Sequence, residues 1–113
     1  MEVMLIGLGG ALGASLRYLL GQLLRSRSFP WSTLVVNVLG SFLLGVVLIS
    51  GANEAFVLFV GVGFCGAFTT FSSFSFQTIE LWERGHRLRA VANAVGNLLL
   101  ALSGYVIAWV VVG

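Results

Sequence analysis

The sequence predicts an all-α membrane protein with four transmembrane helices, and three observations carry that reading. Of its 113 residues, 58% are hydrophobic and only 9% charged, whereas a soluble domain carries about 25% charged residues. So little polar material cannot cover a water-facing surface, and a mean hydropathy of +1.04 agrees. Second, the apolar residues fall into four long runs joined by short polar connectors. A span needs about 20 residues, so four spans consume most of the chain, which reads as a single membrane domain over residues 1–113. Third, the few polar residues inside the runs recur at helical spacing.

The first run extends from about Val3 to Leu24 with Arg17 as its only charge. A secretory signal would set positive charge before a short apolar run. Here Met1 and Glu2 precede it and three more runs follow, so a retained span is expected. The connector "RSRSFPWS" brings Arg25, Arg27 and Pro30, the last suited to a helix start. The second span covers about Trp31 to Ser50 and ends in the turn "GANEA". The third covers about Phe56 to Leu81, and its centre, "GFCGAFTTFSSFSF" (Gly63–Phe76), mixes glycine, hydroxyls and phenyl rings. Hydroxyls that bond to the i−4 carbonyl soften a helix, and Gly66 adds backbone freedom. The third helix is therefore predicted to be interrupted near Gly66–Thr70, which at membrane depth requires a protein wall or a wet cavity. After the connector "ERGHRLR", the fourth span runs from about Ala90 to Val112. Arg25, Arg27, Arg84, Arg87 and Arg89 all fall at one end of the bundle and none at the other. The positive-inside rule puts that end in the cytoplasm.

Polar residues form stripes along these helices. Gly9, Gly13, Arg17 and Gly21 share a face of span one, where small residues allow close approach of a neighbouring backbone. Arg17 is near enough to a membrane interface to snorkel, or to draw anions to a pore mouth. Span two aligns Thr33, Asn37 and Ser41; Asn37 suits either an interhelical hydrogen bond or a polar path. In span three Phe71 and Phe74 are three apart and share a face, interleaved with Thr69, Thr70, Ser72 and Ser73. Span four aligns Asn93 and Asn97, which suit either a path or a bond across helices.

Several activities are excluded. A single cysteine forms no internal disulfide, and His86, the only histidine, has no cluster of ligands around it. The hydroxyls have no neighbouring base, so no enzyme is read here. "GLGGALGA" lacks the strand and loop of a phosphate-binding motif, and a net charge of +2 is too small for a nucleic-acid surface. A transporter of cations needs a membrane carboxylate, yet Glu2, Glu54, Glu80 and Glu83 all sit at span ends or in connectors. An anion path needs N–H and O–H donors, which the stripes supply, and phenyl edges are electropositive too. A small bare anion fits best.

"GGALGASLRY" (Gly9–Tyr18), "TLVVNVLGSFLLG" (Thr33–Gly45) and "GFCGAFTTFSSFS" (Gly63–Ser75) occur in an order that closely resembles the fluoride ion channel family, Fluc or CrcB. The resemblance covers nearly the whole chain, and its third motif is the most specific. It implies an antiparallel dimer in the cell membrane with two fluoride pores along the subunit interface, exporting F⁻ passively and relieving its toxicity. HF would enter from acidic surroundings and dissociate inside. Phe71 and Phe74 resemble the pore phenylalanines, Asn37 the pore asparagine, and Ser72 and Ser73 part of a hydroxyl track; Arg17 matches the span-one arginine. Gly66 and Thr69 resemble positions whose carbonyls hold a central structural Na⁺. Relatives often carry Tyr and Ser where this chain has Asn93 and Asn97. The one-sided arginines fit either a homodimer that inserts both ways or a pair with an oppositely oriented paralogue. The alternative class is the small multidrug-resistance cation/proton antiporters, four-span chains that depend on a span-one glutamate absent here.

Overall fold

Helices form where the apolar runs place them. In the computed structural model, which describes residues 1–25 and 29–113, α1 covers Glu2–Leu23 and α2 covers Trp31–Ile49. Arg27 of the first connector lies outside the described residues. The third span opens at Asn53, whose side chain caps the Phe56 N–H at 2.9 Å, satisfying one of the orphan donors of a helix start. It continues as α-helix over Glu54–Phe56, π-helix over Val57–Cys65 and α-helix over Gly66–Phe68; these residues, 54–68, are α3. Thr69 (ψ 157°) and Thr70 (φ −146°, ψ 117°) are extended, and the span resumes as α4, Phe71–Glu83. α5 covers Arg87–Val112. Four helical units are thus long and apolar enough to cross a membrane, the third of them bent, and the described residues contain no strand.

The fourth span begins at Arg87 rather than near Ala90 because the preceding turn is unusually tight. Gly85, at φ 86°, donates to the Trp82 carbonyl at 3.1 Å, and His86 to the Leu81 carbonyl at 2.9 Å. This pair of bonds is the Schellman closure, which needs a residue at positive φ and favours glycine there. Arg87 then stacks its guanidinium 4.9 Å from the Trp82 ring centre.

The two halves of the third span have different neighbours. α3 packs on α1, α4 packs on α5, and α2 lies chiefly against α5 while touching α3 and α4. Large apolar side chains such as Leu12, Leu19, Leu99, Leu102 and Val110 point outward. So continuous an apolar exterior exceeds what a soluble monomer shows and suits lipid. The long dimension of 47 Å spans a bilayer of about 40–45 Å including its headgroups.

Contact between α1 and α3 is made through backbone. A Cβ on Gly9 would sit 2.0 Å from the Phe59 carbonyl oxygen, and one on Gly13 would sit 2.2 Å from that of Phe64. The glycines are four apart on an α-helix, the carbonyls five apart on a π-helix, so each repeat is about one turn of its own helix. Gly63 reciprocates, its place for a Cβ being 2.6 Å from the Ile6 carbonyl. The glycine face of α1 is not used to its end, since a Cβ on Gly21 would meet none of the described residues within 4 Å.

Gly13→Ala should therefore destabilise the fold by about 1–3 kcal/mol through overpacking, read as a lower thermal transition of the purified protein in detergent. Gly7→Ala, where a Cβ would meet nothing within 4 Å, should leave that transition unchanged or slightly raised. Equal transitions for the two variants would contradict the backbone contact.

Candidate functional site

The site is built on the interruption at Thr69–Thr70. A helix stopped inside a membrane strands its backbone groups, and each unsatisfied group there costs several kcal/mol. Asn37 of α2 meets this cost. Its Oδ1 accepts the Thr70 N–H at 2.9 Å and its Nδ2 donates to the Thr70 carbonyl at 3.3 Å. One carboxamide thus pairs with both groups of one residue, as a neighbouring strand would. Thr69 still closes the last turn of α3, its N–H and hydroxyl both donating to the Cys65 carbonyl at 3.0 and 2.9 Å. Thr70 caps α4, its hydroxyl oxygen accepting the Ser73 N–H at 3.1 Å.

Diverting the Thr70 N–H to Asn37 takes it from the Gly66 carbonyl, its partner in an uninterrupted α-helix. The last carbonyls of α3 and the first N–H groups of α4 therefore meet at the break. These are the negative and positive ends of two half-helices.

Behind Asn37 the hydrogen bonding continues through buried amides. Asn37 Nδ2 also donates to Asn97 Oδ1 at 2.9 Å. Asn97 Nδ2 donates to the carbonyl and to Oδ1 of Asn93, at 2.8 and 2.9 Å. Asn93 Nδ2 donates to Thr78 Oγ1 at 2.8 Å, and the Thr78 hydroxyl to the Phe74 carbonyl at 2.8 Å. Asn93 has 0% of its surface exposed.

Three cavities follow one another from the basic end to the break. The first, about 230 Å³, is lined by Arg25, Ser32, Gln77, Glu80 and Arg84 among others. The second, about 260 Å³, is lined by Arg17, Ser32, Thr33, Thr70, Ser73 and Gln77 among others. Gly21, Ser32 and Gln77 are walls of both. The third is an open groove of about 830 Å³ reaching Asn37, Ser41, Gly66, Thr69, Phe71, Phe74 and Asn97. Thr70 is common to the second and third. Within the groove the Phe71 and Phe74 rings are 5.8 Å apart and tilted by 51°, and Phe71 is 79% exposed on its open side.

The residues singled out from the sequence are thus divided. Phe71, Phe74, Asn37, Ser41 and Asn97 share the groove wall, as do Gly66 and Thr69. Thr33 faces the second cavity with Arg17 and Ser73 instead of sharing the groove with its stripe-mates. Ser72 is exposed beside the break, its hydroxyl 3.4 Å from that of Thr70. Asn93 lies behind the groove, in none of the three cavities. The sequence set Thr70 at the predicted break without giving it a role in the site, and two further contributors, Thr78 and Gln77, carry no sequence expectation. Thr70 is the residue at the joint; Thr78 ends the amide run one turn after Phe74; Gln77 stands between two cavities, its Oε1 buried without a hydrogen-bond partner among the described residues. The lone polar residues Gln77 and Thr78, one turn beyond Ser73 and Phe74, were the available signal.

Comparison with known proteins places this geometry in context. A family model described as CrcB-like protein, Camphor Resistance (CrcB), matches residues 4–110. The chain is 51% identical over 108 residues to fluoride-specific ion channel FluC 2 of Haloarcula marismortui, covering 96% of this chain and 91% of that one. It is 48% identical over 106 residues to fluoride-specific ion channel FluC of Thermus thermophilus, covering 88% and 85%. Against FluC 2 of Clostridium acetobutylicum it is 36% identical over 108 residues, covering 93% and 92%.

If Asn37 holds the break, Asn37→Ala should expose the Thr70 amide. Its hydrogen exchange in bilayers should accelerate about tenfold or more, the effect of losing one buried hydrogen bond. Exchange at Thr70 as slow as in the parent protein would contradict the assignment.

Proposed function

This chain belongs to the CrcB family, and from that membership we propose that it is a channel carrying fluoride passively out of the cell through the groove beside the break. It is a multi-pass membrane protein and a channel, not an enzyme. The observation that carries the reading is the interruption itself: a donor-rich joint beside two phenyl rings, reached through arginine-lined cavities. The described carboxylates stand away from it, Glu2 and Glu54 opening their helices and Glu80 and Glu83 closing α4. A cation antiporter is not favoured, because nothing at mid-depth would offset the desolvation of a positive substrate.

Fluoride is small and strongly hydrated, so a narrow path must replace its water with converging donors. Arg25 and then Arg17 draw the anion along the first two cavities, Arg84 being paired with Glu80 at 3.5 Å. Ser73 and Ser72 offer hydroxyls at the joint, and the first N–H groups of α4 add the positive end of a helix. Phe71 and Phe74 receive the ion next. Their rings are tilted, not face-stacked, which leaves electropositive edges available to an anion. Each contact is weak, and successive weak sites let the ion leave as readily as it enters. Asn37 is wall and clamp in this scheme, since both of its amide hydrogens are engaged by Thr70 and Asn97.

The groove is open on one side, and we assign that side to a second copy in the opposite orientation, which would complete the path and restore the arginine cluster at the other membrane face. Pairing with an oppositely oriented paralogue would complete it equally. The cell membrane is the expected location. A structural Na⁺ would sit between two such breaks. The Gly66 carbonyl has lost its helical donor, no neighbour lies within 4 Å of the Gly66 Cβ position, and Gly66 and Thr69 both line the groove. The described residues hold no cluster of His, Cys, Asp or Glu to bind a metal otherwise. Carbonyl oxygens from Gly66 and Thr69 are hard ligands suited to such a cation. The ion would supply a fixed charge that ties the facing carbonyls together.

Two measurements test this. In liposomes holding this chain as their only protein, Phe71→Ile and Phe74→Ile should each reduce fluoride efflux by about tenfold or more while dimers persist; unchanged efflux in both refutes the phenyl-edge path. Exchanging Na⁺ for a bulky organic cation should lower the stability of the dimer and its efflux together. Indifference of both to Na⁺ refutes the central cation.

A further inference from the structure

The amide run behind Asn37 has a direction, and we infer that Thr78, acting through Asn93 and Asn97, is a positioning residue that fixes the Asn37 carboxamide and with it the open joint. The inference rests on the fluoride-channel reading. At one end stands the Thr70 N–H, which can only donate, so the Asn37 atom that meets it at 2.9 Å is the oxygen. Asn37 Nδ2 is thereby turned toward Asn97, whose facing atom at 2.9 Å must be its oxygen. Asn97 Nδ2 then faces the Asn93 main-chain carbonyl at 2.8 Å, which can only accept. Asn93 accepts from Asn97 with Oδ1 at 2.9 Å and so presents its own Nδ2 to Thr78 Oγ1 at 2.8 Å. The Thr78 hydroxyl donates to the Phe74 carbonyl at 2.8 Å, again a group that can only accept.

Backbone groups at both ends and in the middle leave each carboxamide one orientation in which every contact is a hydrogen bond. Turning any one of them sets donor against donor at the next contact. Water offers no escape at the two amides of α5, because Asn93 is 0% and Asn97 5% exposed, and an unmade bond in such surroundings is costly. The run also leaves and re-enters the same helix: it starts at Thr70, the cap of α4, crosses α2 and α5, and ends on Phe74 and Thr78 of α4. The stretch so braced, residues 70–78, is the one that carries Phe71, Ser72, Ser73 and Phe74. Thr78 reaches no cavity wall described above, so its effect on the ion passes through the brace.

Thr78→Val keeps the shape and removes the hydroxyl, leaving Asn93 Nδ2 without its acceptor. Measured per folded dimer in liposomes, fluoride efflux should fall about tenfold in Thr78→Val, and Thr78→Ser, which keeps the hydroxyl, should return it to within about twofold of the parent. In an Asn37→Ala background Thr78→Val should add no further loss, because residues acting as one unit are not additive. The side-chain amide resonances of Asn37 should move in Thr78→Val and not in Thr78→Ser. Parent-like efflux per dimer with unmoved Asn37 resonances in Thr78→Val overturns the inference, as does full additivity in the double variant. If the parent chain passes no fluoride either alone or together with an oppositely oriented paralogue, the channel reading fails instead; the Asn37 resonances still report whether the brace exists.

Discussion

Two hydrogen bonds between the Asn37 carboxamide and the Thr70 main chain, at 2.9 and 3.3 Å, are the contact on which the interrupted third span depends. A lipid-embedded helix has no solvent to accept its broken ends. An extended residue at mid-span is therefore stable only where another group takes over the bonds that the helix gave up. Asn37 does this with a carboxamide, a neutral group that offers an acceptor and two donors in a plane. Once Thr70 is held, the Gly66 carbonyl is released, the N-terminus of α4 is exposed to the groove, and Phe71 is turned onto its open side. A negative and a positive helix end come to lie beside each other without any ionised side chain.

The rest of the fold anchors the two halves on either side of that joint. α3 is locked to α1 by backbone contacts at Gly9, Gly13 and Gly63, and the π-helical winding of Val57–Cys65 lets its carbonyls keep step with the glycines. α4 is held to α5 through Asn93 and Thr78. α2 contacts both halves and supplies the clamp. The joint is thus fixed by three separate neighbours, which is why so small a chain can keep open a break that an isolated helix would close.

Much of this was legible in the sequence, for physical reasons that differ from element to element. Span positions follow from the length of apolar runs, and the break from crowding hydroxyls and Gly66 into mid-span. The π-helical segment was not legible, because "VLFVGVGFC" has no local feature that separates it from an α-helix; the winding is matched to α1. The stripe of Thr33, Asn37 and Ser41 read as one face, yet Thr70 divides it, leaving Thr33 to one cavity and Ser41 to another. Asn37 could be singled out by its depth, but which of its groups were free depended on partners 33 and 60 residues away. The early start of α5 was within reach, since Gly85 already marked a helix end in "ERGH".

The clamp is most directly tested by solid-state NMR of the parent chain in bilayers, with the Thr70 amide nitrogen and the Asn37 carboxamide carbon labelled. The structure predicts a strong dipolar contact across the hydrogen bond, together with extended-backbone chemical shifts at Thr70 between helical residues on either side. Helical shifts at Thr70 with no contact to Asn37 would show an uninterrupted third span and contradict the account.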